Sequence, residues 1–272
     1  MISAFNITPS YYAGHMFTWQ VPDTFASPRP WTFSIEVSPD GLSEWSTVVS
    51  DLVNVFAWQQ PNKPGKHDSD LDPFYRVVLV TGDDLMYTSA VKGCYGDLPK
   101  RDYLIAKEMM RKELLMLRKS SGVICELWKR MKTGIKCQYC TDAVTGETIS
   151  TKCPYCLGAK YEGGYTGPYE VWASFSPRKS DKKFEAGGYG LTDSQQFTVK
   201  LIGHPFINSG DVVVDKLADR RYSIQVIDSL VEVRRVPILT TCAATELSMS
   251  DMAYKLGHID RPDDVCGNPR EY

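Results

Sequence analysis

No apolar run in this chain of 272 residues approaches the roughly 18 residues that a membrane span needs. The opening stretch, MISAFNITPSYYAGHMFTWQ, has no basic n-region and no continuous apolar h-region, which argues against a secretory signal. The expected setting is therefore a reducing cytoplasm. Neither sign of charge dominates: the formal net charge is −2, which gives no reason to expect strong non-specific nucleic-acid binding. Histidine is scarce. His15, His67, His204 and His258 lie far apart and beside no obvious nucleophile. The chain has no G-x-x-x-x-G-K-[ST], H-E-x-x-H or G-x-S-x-G, and no G-x-G-x-x-G after a strand. The expectation is a protein that is not an enzyme, with no small-molecule substrate and no membrane association. Asp68 to Asp72 begins like a calcium loop, but Pro73 and Leu79 stand where that loop needs Gly and Glu. Asp83-Asp84 carries no paired-carboxylate geometry. There is no internal repeat and no low-complexity segment.

What is present is ordinary globular composition, with 43% hydrophobic and 24% charged residues. Its length suits two or three modest domains. Residues 1–96 read as β structure. Trp31, Phe33, Ile35 and Val37 alternate with polar residues, which places them on one face of a strand. Pro39-Asp40-Gly41 marks a turn. Further strand signals fall around Val48–Trp58, Phe74–Thr81 and Leu85–Ser89, with a loop at Gln60–Asp72. Short strands between turn signals predict a small antiparallel sandwich. The early tryptophan strand and the later YRVVLVTG strand resemble a fibronectin type III or immunoglobulin-like module.

The character changes at Asp97-Leu98-Pro99, where Asp97 offers an N-cap and Pro99 suits a first helical turn. Tyr103, Ala106, Met110, Leu114 and Leu117 then recur at steps of three and four, forming one apolar stripe of an amphipathic helix. Ser120-Ser121-Gly122 ends it. Residues 97–132 are expected to form a helical linker, with a short apolar piece from Val123 to Met131. Lys and Arg concentrate between 100 and 136, which reads as a solvated amphipathic face. From 167 to 247 the pattern is β again. Phe197–Leu201 and Tyr222–Val226 alternate, Asp211–Asp215 and Leu230–Ile238 supply further strands, and glycines punctuate them. That predicts a small β-barrel or sandwich. Residues 248–272 read as a C-terminal arm.

Between the helix and the last β region lies C-x₂-C-x₁₂-C-x₂-C: Cys137, Cys140, Cys153 and Cys156. Two residues between cysteines let one tight turn offer both thiolates to one ion, and two such turns complete a tetrahedron. Thr145-Gly146-Glu147 is good turn chemistry for the tip between the pairs. Lys136 and Lys152 each precede a pair and would offset thiolate charge. The competing reading is two disulfides or four unrelated thiols. The expected cofactor is one structural Zn²⁺ in a zinc-ribbon module at 133–166. A closed Cys₄ site leaves no open position for catalysis, so the metal's contribution would be to folding. Cys94, Cys125, Cys242 and Cys266 read as buried or free thiols.

The central run RDYLIAKEMMRKELLMLRKSSGVICELWKRMKTGIKCQYCTDAVTGETISTKCPYCLGAKYEGGY resembles virion structural proteins of tailed bacteriophages. The resemblance rests on a basic helix, then C-x-x-C-x-D, a Thr-Gly turn, C-P-x-C-x-G, and a G-G-Y exit before a β segment. Cys137, Cys140, Asp142, Cys153, Pro154, Cys156, Gly158, Gly163, Gly164 and Tyr165 carry it here. The later stretch GDVVVDKLADRRYSIQVIDSLVEVRRVPI is similar to phage head-completion or head–tail joining proteins, in which a small β-barrel carries a D-x-R-Y-type strand. This chain has C-L-G-A-K where a second small residue often follows the Gly. The resemblance implies a ring subunit of the neck or head–tail connector, localised in the virion and assembled in the host cytoplasm. Its partners would be copies of itself and other neck or tail proteins. A baseplate or collar-fibre attachment protein is the alternative within that class. A zinc-ribbon nucleic-acid-binding protein is the alternative of another class. The net charge, and a lack of stacking aromatics near the cysteines, argue against it.

Overall fold

The computed structural model describes residues 2–8, 14–22, 25, 27–61, 72–96, 98–142, 145, 150, 153–177, 196–234 and 236–256. The protein is mainly β. In chain order the strands are β1 (Ala4–Thr8), β2 (Met16–Gln20), β3 (Thr32–Ser38), β4 (Ser46–Val53), β5 (Ala57–Gln59), β6 (Phe74–Val80), β7 (Met86–Thr88) and β8 (Lys92–Gly93). Then follow α1 (Lys100–Lys119), β9 (Val123–Arg130), β10 (Tyr165–Pro177), β11 (Gln196–Ile202), β12 (Val212–Asp215), β13 (Arg220–Val233) and β14 (Val236–Glu246). A 3₁₀ turn, Met252–Lys255, comes last. No helix among the described residues is long and apolar enough to cross a membrane.

The first eight strands form two sheets, β1-β2-β5 and β4-β3-β6-β7, with β8 also paired to β6. They share one core, built from alternate residues because strand side chains alternate faces. Phe5 and Ile7 of β1 and Phe17 and Trp19 of β2 meet Phe33 and Ile35 of β3 and Tyr75, Val77 and Leu79 of β6. Phe33, Ile35 and Trp31 are buried together as the alternation requires.

The remaining strands close into a barrel of order β10-β11-β14-β13-β12-β9. Cys125 and Leu127, Tyr169, Val171 and Ala173, Val199 and Leu201, Val213, Ile224, and Cys242 and Ala244 fill its interior from all six strands. Closure leaves no free edge. Two expectations are corrected here. Val123–Arg130 is no part of a helical linker. It is the strand that closes the barrel, pairing with β10 on one side and β12 on the other. Leu230–Ile238 is not one strand either: Arg234, at φ 51°, turns the chain between β13 and β14.

Helix α1 buries Tyr103, Ala106, Met110, Leu114 and Leu117, the stripe the period predicts. Ala106 and Met110 cover Val236 and Ile238 of β14, and Leu114 and Leu117 cover Ile202. Pro99 itself takes the N-cap position, without a side-chain cap, and Asp97 lies outside the described residues. Ser120 caps the other end, its Oγ donating to the Met116 carbonyl at 2.7 Å. The first part of the expected arm also packs: Ala253 and Leu256 are buried against Val212 and Val214 of β12. The arm's remainder, 257–272, lies outside the described residues.

Candidate metal centre

The four cysteines sit in residues 131–164, which connect β9 to the neighbouring antiparallel strand β10. The module is therefore the loop of a long hairpin within the barrel wall. The ladder continues into it: Met131 N donates to Gly164 O at 3.0 Å, Glu162 N to Ile135 O at 2.8 Å, and Cys137 N to Lys160 O at 2.9 Å. This anchoring brings the two cysteine turns face to face.

All four sulfurs lie within 4.8 Å of one another and all four residues are buried. A tetrahedral zinc with Zn–S of about 2.3 Å would set neighbouring sulfurs about 3.8 Å apart. Cys137 and Cys153 Sγ are 3.8 Å apart, and Cys140 and Cys156 Sγ are 3.1 Å apart. Both exceed the ~2.05 Å of a disulfide bond, and the four thiols are free. The set can hold a metal ion. Four soft sulfur donors in a closed shell suit zinc or iron and leave no position for substrate.

The four thiols are not equivalent. Burial raises the Cys153 thiol, but hydrogen bonds from the backbone N–H groups of Cys156 and Tyr155 and from the Cys156 and Cys137 sulfurs together outweigh it and lower its pKa. Burial pushes Cys137 up to about 11 and Cys140 higher still, with the neighbouring Cys156 sulfur adding to it. A cation among the four sulfurs reverses that balance by stabilising every thiolate at once. Gly164 shows how closely the chain must pass: at φ +66°, a Cβ there would stand 2.4 Å from the Cys156 carbonyl oxygen. Of the residues expected near the site, Lys136 bridges to Tyr161 through its backbone. Lys152 and the Gly146-Glu147 turn lie outside the described residues.

The module touches both β bodies. Ile135 is 5% exposed and belongs to the core shared by the two N-terminal sheets, and Met131 packs against that core. Leu157, on the other side of the cysteines, is buried with Val212 and Val214 on the barrel's outer face. Arg29 of the sandwich lies 3.7 Å from Glu162. At the base, Asp211 is fully buried. It accepts from Arg130 N at 2.9 Å, from Asn208 N at 2.8 Å and from Lys129 Nζ at 3.1 Å. Lys129 also donates to the Phe206 carbonyl. This ties the end of β9, from which the module springs, to the loop before β12. Sequence reasoning missed this pair because its partners are remote in the chain.

It also missed an aromatic feature. Tyr139 and Tyr155 stack at 4.0 Å with an interplanar angle of 17°, and they are 65% and 44% exposed. The expected lack of stacking aromatics beside the cysteines is thus corrected. The signal was visible in the repeat C-x-Y-C, at Cys137–Cys140 and Cys153–Cys156.

No family model matches the chain, and no curated protein matches it in sequence. Among solved structures, "Titin kinase and its flanking domains" aligns at 12% identity and a TM-score of 0.29, over 66% of this chain and 30% of that one. A similarity that low carries no argument about fold or function.

Proposed function

We propose that the chain is a structural subunit of a tailed-phage virion, a neck or head–tail connector ring component with an architectural rather than catalytic role. In this reading Cys137, Cys140, Cys153 and Cys156 hold one structural zinc ion. The observation that carries it is the double anchoring of the cysteine module. Ile135 enters one β core and Leu157 covers the other body, with the four sulfurs between them. A closed metal site here fixes the angle between sandwich and barrel, which is what a subunit of a rigid ring requires. The likeness of the C-x-x-C-x-D and C-P-x-C-x-G pattern to phage virion proteins supplies the assignment to that class. The strand orders β1-β2-β5 and β4-β3-β6-β7 support reading the sandwich as fibronectin type III-like, and the hairpin origin of the module supports reading it as a zinc ribbon.

The test joins metal analysis to mass. Purified protein should contain one zinc, and no iron, per chain, and should form a closed ring by native mass spectrometry. Labelled antibody should place it at the neck of intact particles. Metal-free, monomeric protein refutes the reading, and labelling at the baseplate moves it to the alternative position.

A nucleic-acid-binding zinc ribbon is favoured by one observation, the exposed Tyr139–Tyr155 pair, since aromatic faces stack on bases. It predicts single-strand binding with a steep salt dependence, lost in Tyr139→Ala.

A further inference from the structure

Charge is distributed unevenly along this chain. Residues 1–96 carry ten acidic and five basic side chains, whereas residues 100–136 carry four acidic and eleven basic ones. Two exposed surfaces display the imbalance, and both are partly apolar.

The first is the outer side of α1. Ile105, Met109 and Met116 are exposed, at spacings of four and seven residues, so they form a second stripe away from the barrel. Met116 is 66% exposed. Arg101, Lys112 and Lys119 lie on the same side of the helix by its period.

The second is the outer face of the five-stranded sheet that contains β4, β3, β6 and β7. Val53, Thr32, Val80 and Met86 sit opposite one another in register across β4, β3, β6 and β7. Their neighbours Leu52, Phe33, Leu79 and Tyr87 face the core, so this rung faces outward. Met86 is 69% exposed and Val53 is exposed beside it. Asp51 adjoins one end of the rung, and Asp83 and Asp84 occupy the turn at the other.

We propose that the basic, apolar outer face of α1 docks on the acidic, apolar outer face of this sheet in a second copy of the chain. The inference rests on the ring reading and names its interface. Charge decides the pairing. A two-fold contact through either face would set like charges against each other, whereas helix against sheet sets Arg101, Lys112 and Lys119 against Asp51, Asp83 and Asp84. Such a contact uses two different patches, so it is head-to-tail and generates a ring or a filament.

The experiment uses the full-length protein and two variants, R101E/K112E/K119E and D51K/D83K/D84K, each checked by circular dichroism and metal content. Size-exclusion chromatography with light scattering reads the mass. Wild type should assemble, with assembly weakening about tenfold or more as salt rises and the screening length shrinks. Each variant alone should be monomeric. An equimolar mixture should assemble again, because each reversed face then meets the reversed face of the other variant, and each native face meets a native one. Restoration in the mixture cannot come from misfolded chains. If wild type assembles and the folded variants assemble equally well, or the mixture fails to restore them, this interface is refuted while the ring reading stands. If wild type stays monomeric at every concentration, both fall. If it is monomeric and binds duplex DNA through the same three basic residues, both fall and the helix face belongs to nucleic acid.

Discussion

Truncating Ile135 to alanine tests whether the cysteine module is part of the sandwich or merely hangs beside it. Ile135 follows Gly134 and precedes Cys137 by two residues, yet its side chain is buried among the sandwich residues Phe56 and Trp31 and their neighbours. The substitution removes three carbons. At about 0.8 kcal/mol for each buried carbon, the transfer loss is about 2.4 kcal/mol, and an incompletely collapsed cavity brings it to about 3 kcal/mol. If the sandwich melts as its own unit, its transition should fall by about 12 °C or more. If the whole chain melts together, the fall should be about 6–12 °C. Fluorescence separates the two, because Trp19, Trp31, Trp45 and Trp58 lie in the sandwich and Trp128 and Trp172 in the barrel. Metal content should stay near that of the wild type, since no ligand is touched. An unchanged sandwich transition in a metal-loaded Ile135→Ala protein refutes the anchoring argument. Leu157→Ala is the matching control and should lower the barrel transition first.

Cys140→Ser should abolish metal retention. Structural zinc supplies about 10–16 kcal/mol in small modules, so amide exchange across 131–164 should become fast while the β9–β10 ladder stays protected; unchanged protection in the module counts against a metal role. Asp211→Ala should destabilise the barrel by about 3–5 kcal/mol in urea titration, because Lys129 keeps its buried charge and loses its partner; a loss below about 1 kcal/mol shows the pair is not needed. Burial lowers His15 to about 4 and His204 to about 3 from 6.5. Both are neutral in the folded chain, so the unfolded state binds more protons below pH 6.5. Stability from each is therefore complete above 6.5 and falls by up to ~1.4 kcal/mol per pH unit on acidification towards 4 for His15 and 3 for His204. Urea midpoints between pH 7 and 5 should show this, and His15→Asn should remove one proton's share of the slope; an equal slope in that variant contradicts it.

Three features were legible because each is written in neighbouring residues. The C-x₂-C pairs announce four sulfurs gathered where they can hold an ion, since two residues are enough for one turn to present two sulfurs. The α1 stripe from Tyr103 to Leu117 follows from helical period alone. The alternation through Phe33 and Ile35 places a strand and its inner face. In the same way the N-terminal β character and the later β region were readable as a class.

The partners of these segments were not. Val123–Arg130 sits between a basic helix and the cysteines, and nothing local says that it closes a barrel with β10 and β12. Val212 and Val214 look like core residues of a strand, yet they face outward and are buried only because Leu157 and Leu256 cover them. The Asp211–Lys129 pair, the meeting of Tyr139 with Tyr155, and the reach of Ile135 into a distant core all depend on contacts across many residues. Local sequence sets backbone propensity and the pattern of faces. Which face meets which is decided by the packing of the whole chain, where each buried surface must find its complement.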